Sequence, residues 1–209
     1  MIIAINFKNY VYGKKALDLA KKIKKYLPKA IVCVPALDLK DIANKTKLQV
    51  FAQYVDHSNT GTGHITPKAV KIAGGKGTLI NHFEHKENYK IFNLVLGDLE
   101  EAKLRTIACA SAVWEAKILA KYKPWAIAYE DPELIGTGKS VTKYNPKSIK
   151  EFVKNLKGTK IIPLCGAGIN SKEDVMEAKK LGCKGVLIAS AIANSKNPEK
   201  ILREISKVK

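Results

Sequence analysis

A short apolar run followed by a stretch with helical spacing recurs eight times along this chain, and few architectures accept that pattern. The strand candidates are Ile2–Phe7, Ala30–Val34, Gln49–Val55, Gly77–Asn81, Arg105–Ala110, Trp125–Tyr129, Lys160–Leu164 and Gly185–Ala189. Helical spacing is predicted near Lys14–Leu27, Leu37–Lys45, Pro67–Ala73, Glu87–Leu104, Ser111–Lys121, Pro146–Leu156, Ser171–Leu181 and Pro198–Lys207, with a break in the fourth at Gly97. Runs such as AIVCV and GVLIA are apolar on both faces, so they need cover on both sides, which a parallel sheet with helical crossovers supplies. A closed (β/α)8 barrel formed as a single domain over residues 1–209 accounts for the count, at the short end for that architecture. An open doubly wound sheet is the alternative. It calls for a Gly-rich dinucleotide fingerprint after the first strand, and NFKNYVYGKK has none.

Composition narrows the environment. No stretch approaches the roughly 18–20 apolar residues of a membrane span, and MIIAINFKNY carries no basic leader, so a cytoplasmic protein with no membrane partner is expected. Cys33, Cys109, Cys165 and Cys183 lie in or beside apolar runs without CxxC spacing, which fits buried thiols rather than disulfides or metal ligands. The net charge of +18 raises the opposite possibility of a basic nucleic-acid-binding protein. Nearly all of it is lysine, with arginine only at Arg105 and Arg203, and the lysines are spread along helix after helix, as in KKALDLAKKIKKYL. The expectation is a solvated lysine surface that attracts anionic substrates, with no nucleic acid as partner.

In a barrel, the residues that end each strand share one mouth, so each end is a candidate site. The first strand ends Asn6-Phe7-Lys8, where a lysine so near the core suits an anionic ligand as well as an ordinary ion pair. The fourth ends Asn81-His82-Phe83-Glu84, and a lone histidine there is either structural or catalytic. The sixth ends in Glu130 and runs on as YEDPELIGTG, stiff at its proline and free at Gly136 and Gly138, which suits a lid over a carboxylate base. The seventh and eighth run into Cys165-Gly166-Ala167-Gly168 and Ala189-Ser190-Ala191, small residues that let backbone N–H groups approach a phosphate.

These segments resemble the triosephosphate isomerase family in its short archaeal form. NFKNY from Asn6, FAQYVD from Phe51, TGH from Thr62, GTLINHFEH from Gly77, IACAS from Ile107, YEDPELIGTG from Tyr129, CGAGI from Cys165 and GVLIAS from Gly185 occur in the family's order from end to end. The resemblance implies interconversion of dihydroxyacetone phosphate and glyceraldehyde 3-phosphate in glycolysis or gluconeogenesis. It makes Glu130 the base, His82 the electrophile and Lys8 the electrostatic partner supported by Asn6. Ile135, Gly136, Gly168, Ala189 and Ser190 would lie against the substrate and its phosphate. It also implies a homo-oligomer, tetramer or dimer, working on triose phosphates with no metal and no other cofactor.

That chemistry asks for these residue types. One carboxylate that reaches two adjacent carbons can remove a carbon-bound proton and return it to the neighbour. Charge then collects on the substrate oxygens, where a neutral imidazole and an ammonium can donate, as in the established account of this family. Phe83 stands where the family has Ser, His85 where Arg or Asn is usual, Asp131 where Pro follows the base, and Ala191 where Gly is expected. The segment from Asp56 to Gly61 is shorter than the family's loop there. A barrel paralogue with a lost or altered substrate is the reading those departures keep open.

Overall fold

The computed structural model describes residues 1–57 and 61–208. Its eight strands are β1 (Ile2–Asn6), β2 (Ile31–Val34), β3 (Gln49–Ala52), β4 (Gly77–Ile80), β5 (Arg105–Ala110), β6 (Ala126–Tyr129), β7 (Ile162–Cys165) and β8 (Gly185–Ile188). They pair in parallel in sequence order and close, β1 on β8, with Ile2 opposite Gly185 and Ile5 opposite Ile188. The helices are α1 (Gly13–Tyr26), α2 (Ala36–Thr46), α3 (Pro67–Ile72), α4 (Tyr89–Glu101), α5 (Val113–Ala120), the short α6 (Val141–Tyr144), α7 (Pro146–Asn155), α8 (Lys172–Lys180), the short α9 (Ser190–Ala193) and α10 (Pro198–Ile205). This is the closed (β/α)8 barrel expected from the alternation.

The period of two along each strand divides the apolar side chains between two cores. Ala4, Cys33, Phe51, Leu79, Ile107 and Ala128 are among those that fill the barrel interior. Their neighbours Ile5, Val32, Val50, Ile80, Ala108 and Ile127 face outward and pack beneath the helices. Each helix contributes its apolar stripe to that outer layer, as α4 does with Phe92, Val95 and Leu99. Gly97 lies on the exposed side of α4, so the helix runs through it unbroken. Asn88 caps α4 by accepting the Lys90 N–H at 2.8 Å, so the helix begins at Tyr89, two residues inside the predicted boundary. Strand β7 begins at Ile162 because residues 156–159 close a turn, with the Thr159 N–H on the Leu156 carbonyl at 3.1 Å. Residues 58–60 of the shortened loop lie outside the described residues.

Candidate active site

Parity along β6 places the carboxylate. Ala126 and Ala128 face the barrel interior, so the next inward position is Glu130, the first residue beyond the strand. Its N–H bonds the Ala110 carbonyl at 2.9 Å, and only 7% of the residue is exposed. Glu130 Oε2 stands 3.4 Å from His82 Nε2, whereas Oε1 has no hydrogen-bond partner among the described residues. Space for this carboxylate comes from Gly166 at the end of β7. A Cβ there would sit 2.7 Å from Glu130 Cγ and 2.9 Å from Cδ.

His82 reaches the same point by a break in parity. Leu79 is an interior residue, so strict alternation would turn Asn81 inward and His82 outward. Asn81 instead takes the left-handed conformation, φ 59°. Its side-chain amide donates to the Cys109 carbonyl and to Glu115 Oε1, both at 2.9 Å, and its Oδ1 accepts the Glu87 N–H at 3.0 Å. Glu115 is itself buried and accepts Lys86 Nζ on both oxygens at 2.7 Å and the Ser111 N–H at 2.6 Å. The loop carrying His82 is therefore clamped from below by one carboxylate. His82 Nδ1 accepts the Glu84 N–H at 3.2 Å, so the neutral ring carries its proton on Nε2, the nitrogen nearest Glu130. Glu115→Ala should lower stability by about 2–4 kcal/mol in urea unfolding, because it strands Lys86 and two donors; an unchanged midpoint would show that the clamp is not structural.

On the opposite side of the mouth, Asn6 continues the inward series of β1. Its Oδ1 accepts the Lys8 N–H at 3.0 Å, and Gln53 Nε2 donates to that oxygen at 3.2 Å and to the Lys8 carbonyl at 2.9 Å. Lys8 has φ 44°, a conformation that costs an ordinary residue about 1–3 kcal/mol and persists because these bonds enforce it. Its nearly buried ammonium meets Glu84 Oε1 at 2.8 Å. Glu84 thus joins the lysine through its carboxylate and the imidazole through its backbone. A cavity of about 530 Å3 lies against Asn6, Lys8, Gln53, His82 and Glu84. His85 forms part of its wall, stacked on Tyr54 with ring centroids 3.9 Å apart.

The segment following Glu130, expected to act as a lid, is tied down along its length. Asp131 caps the 3-10 turn Pro132–Leu134, accepting the Glu133 N–H at 3.2 Å on one oxygen and Asn145 Nδ2 at 3.0 Å on the other. Asp131 is therefore an anchor for the first half of this segment. Thr137 Oγ1 donates to the Leu134 carbonyl at 2.9 Å and accepts the Lys139 N–H at 3.1 Å. The second half is tied to the loop after β7, with Asn170 Nδ2 on the Gly138 carbonyl at 2.8 Å and the Val141 N–H on the Ala167 carbonyl at 3.1 Å. Gly168, φ 67°, passes so close to the Lys139 carbonyl that a Cβ would overlap it. Ile135 and Gly136 of the lid, and Gly168, Ala189 and Ser190 at the ends of the adjacent strands β7 and β8, are all at least partly exposed. Phe83 is 50% exposed, on the loop after β4.

The four thiols are free and buried. Burial pushes Cys33 and Cys109 well above the ordinary thiol range, with the charge of Glu130 adding to it. For Cys165 a hydrogen bond to Cys183 is the largest cause, followed by burial. None of these three is poised as a thiolate. Gln53, Glu84, Glu115 and Gly166 escape sequence reasoning as site residues. Gln53, Glu84 and Gly166 sit within motifs already singled out, whereas Glu115 lies outside them and matters only through its contacts with the loop after β4.

The family model for triosephosphate isomerase matches residues 1–205. The triosephosphate isomerase of Methanocaldococcus jannaschii is 38% identical over 99% of this chain and 99% of its own length. That of Saccharolobus solfataricus is 39% identical over 97% of this chain and 93% of its own. Among solved structures, triosephosphate isomerase from Bartonella henselae superposes with a TM-score of 0.73 at 20% identity, covering 98% of this chain and 96% of that one, a likeness of fold. With matches of this extent to a barrel whose mouth holds Lys8, His82 and Glu130, the chain belongs to the triosephosphate isomerase family.

Proposed function

We propose that this chain interconverts dihydroxyacetone phosphate and D-glyceraldehyde 3-phosphate, with Glu130 as the base. The observation that supports this most is the carboxylate held beside His82 Nε2 with one oxygen unpartnered, under a lid tied at both ends. Glu130 removes a proton from the carbon next to the substrate carbonyl. Negative charge develops on the carbonyl oxygen, where the Nε2–H of His82 and the Lys8 ammonium donate to it. Glu130 then returns the proton to the neighbouring carbon, while the imidazole relays the hydroxyl proton between the adjacent oxygens. The substrate's own carbonyl acidifies the proton, so the step as drawn calls for no metal or organic cofactor. Ile135, Gly136, Gly168, Ala189 and Ser190 close round the phosphate, and lid closure keeps water from the enediolate.

The coupled assay is direct: D-glyceraldehyde 3-phosphate is supplied and dihydroxyacetone phosphate is drawn off by an NADH-linked dehydrogenase. Turnover that survives a chelator is expected; its absence under all substrate concentrations would leave a paralogue with another substrate. Gly166→Ala tests the placement of the base. The added methyl should push Glu130 by about 1 Å and lower kcat/KM by about 10²-fold with the fold retained. A near-parental rate would mean that the carboxylate does not work from this position.

The same reading takes residues 1–209 as one isomerase domain in the cytoplasm, assembled with like subunits. Support for assembly comes from Tyr10, Tyr12 and Leu37, exposed apolar side chains on segments joined by the Gly13 N–H bond to Asp38 at 2.9 Å. Gel filtration at several concentrations measures the subunit count.

A further inference from the structure

The end of the barrel opposite the mouth carries a charge pattern that the isomerase reaction does not use. In a closed barrel, every connection from a helix to the next strand lies on that one end. Each of the seven such connections contains lysine: Lys29, Lys47, Lys76 and Lys103 in the first four. Lys121 and Lys123 precede β6, Lys157 and Lys160 precede β7, and Lys184 precedes β8. All nine are exposed, and none of the seven connections contains an Asp or Glu. Among the described residues, none of the nine ammonium groups pairs with a carboxylate. The connections on the mouth side, with the short α6 and α9 included, hold five lysines against six carboxylates. Lysines that are dispersed in sequence are thus gathered in space on one face.

Helix dipoles alone do not account for this. They would favour acids at helix N-termini as much as bases at C-termini, yet α1, α3, α4 and α7 have no acid in the first turn. Lys47, Lys103 and Lys123 also take φ 53–56°, a left-handed position after a helix where Gly is the unstrained choice. At the same end, Arg105 lies over the Trp125 ring at 5.0 Å, and a cavity of about 560 Å3 is lined by Lys150, Lys154, Lys157 and Lys184.

We propose that this face binds the phosphodiester backbone of nucleic acid, without reading its sequence. A linear polyanion with one charge every few ångströms matches a broad ring of lysines. Lysine in place of arginine supplies point charges to phosphates and not the bidentate contacts that read bases. A membrane fits less well, because none of the large apolar side chains in these connections is fully exposed for insertion. The site faces away from the catalytic mouth, so isomerase activity persists in the bound state.

Fluorescence anisotropy of the full chain with a labelled short duplex DNA, across a salt series, tests this. Binding should weaken steeply with salt, log K against log salt having a slope of about −4 or steeper. The quadruple variant Lys47→Gln, Lys103→Gln, Lys157→Gln and Lys184→Gln should bind about 10-fold or more weakly with a shallower slope. The charge-matched variant Lys14→Gln, Lys68→Gln, Lys90→Gln and Lys147→Gln, in the first turns of α1, α3, α4 and α7, should lose less than about 3-fold. Both should keep parental isomerase rates, which certifies their folds. Equal losses would reduce the effect to net charge and overturn the proposal, as would failure to bind at low salt. Sedimentation with phosphatidylglycerol vesicles that only the first variant loses, with duplex binding unaltered, would also overturn it and assign the face to a lipid surface.

Discussion

Glu130→Gln is expected to lower kcat by about 10³-fold or more while leaving the fold and KM close to parental. The amide keeps the shape of the side chain in the space that Gly166 provides, but it cannot take up a proton. Glu130→Asp should fall between the two. Its carboxylate retreats by about 1 Å, a displacement of the size that costs about 10²-fold. Steady-state kinetics in both reaction directions measures this, with thermal unfolding to confirm the fold. A Gln variant turning over at more than about a tenth of the parental rate would remove Glu130 from the role of base.

His82→Gln is the second large effect, a loss of about 10²–10³-fold in kcat. The ring is held by the Glu84 N–H on Nδ1 and so presents Nε2–H as its donor. A glutamine amide can donate, but it has no second nitrogen for the backbone to grip, so the donor is no longer fixed in direction. Because the interaction strengthens as charge develops, kcat and kcat/KM should fall together with little change in KM. A variant that raised KM alone would make His82 a residue of ground-state binding.

The strands were readable because parallel strands buried on both faces are continuous apolar runs, and every candidate overlaps an observed strand. The pieces that escaped are short and held by side chains rather than by periodicity. The Pro132–Leu134 turn depends on Asp131, α6 starts where Ser140 accepts the Thr142 N–H, and α9 is a single turn. Lys8, His82 and Glu130 stood out because strand ends in a barrel converge. That Asn81 turns left-handed, so that His82 faces Glu130, was not readable, since the bonds that hold it come from Cys109 on β5, Glu115 on α5 and Glu87. The gathering of lysines on one face was hidden for the same reason. Nine lysines far apart in the chain meet only when the barrel closes.

If Glu130 is the base, the transferred proton passes through its carboxylate on the way between two carbons. Turnover of D-glyceraldehyde 3-phosphate in D2O, read by proton NMR, tests it most directly. A carboxylic acid exchanges its proton with solvent during the lifetime of the enediolate. A measurable share of the dihydroxyacetone phosphate formed should therefore carry one deuterium on the carbon that receives the proton. Isomerisation in which that carbon receives only the substrate's own hydrogen, at every enzyme and substrate concentration and with no loss of rate in Glu130→Gln, would mean transfer without the carboxylate and contradict Glu130 as the base.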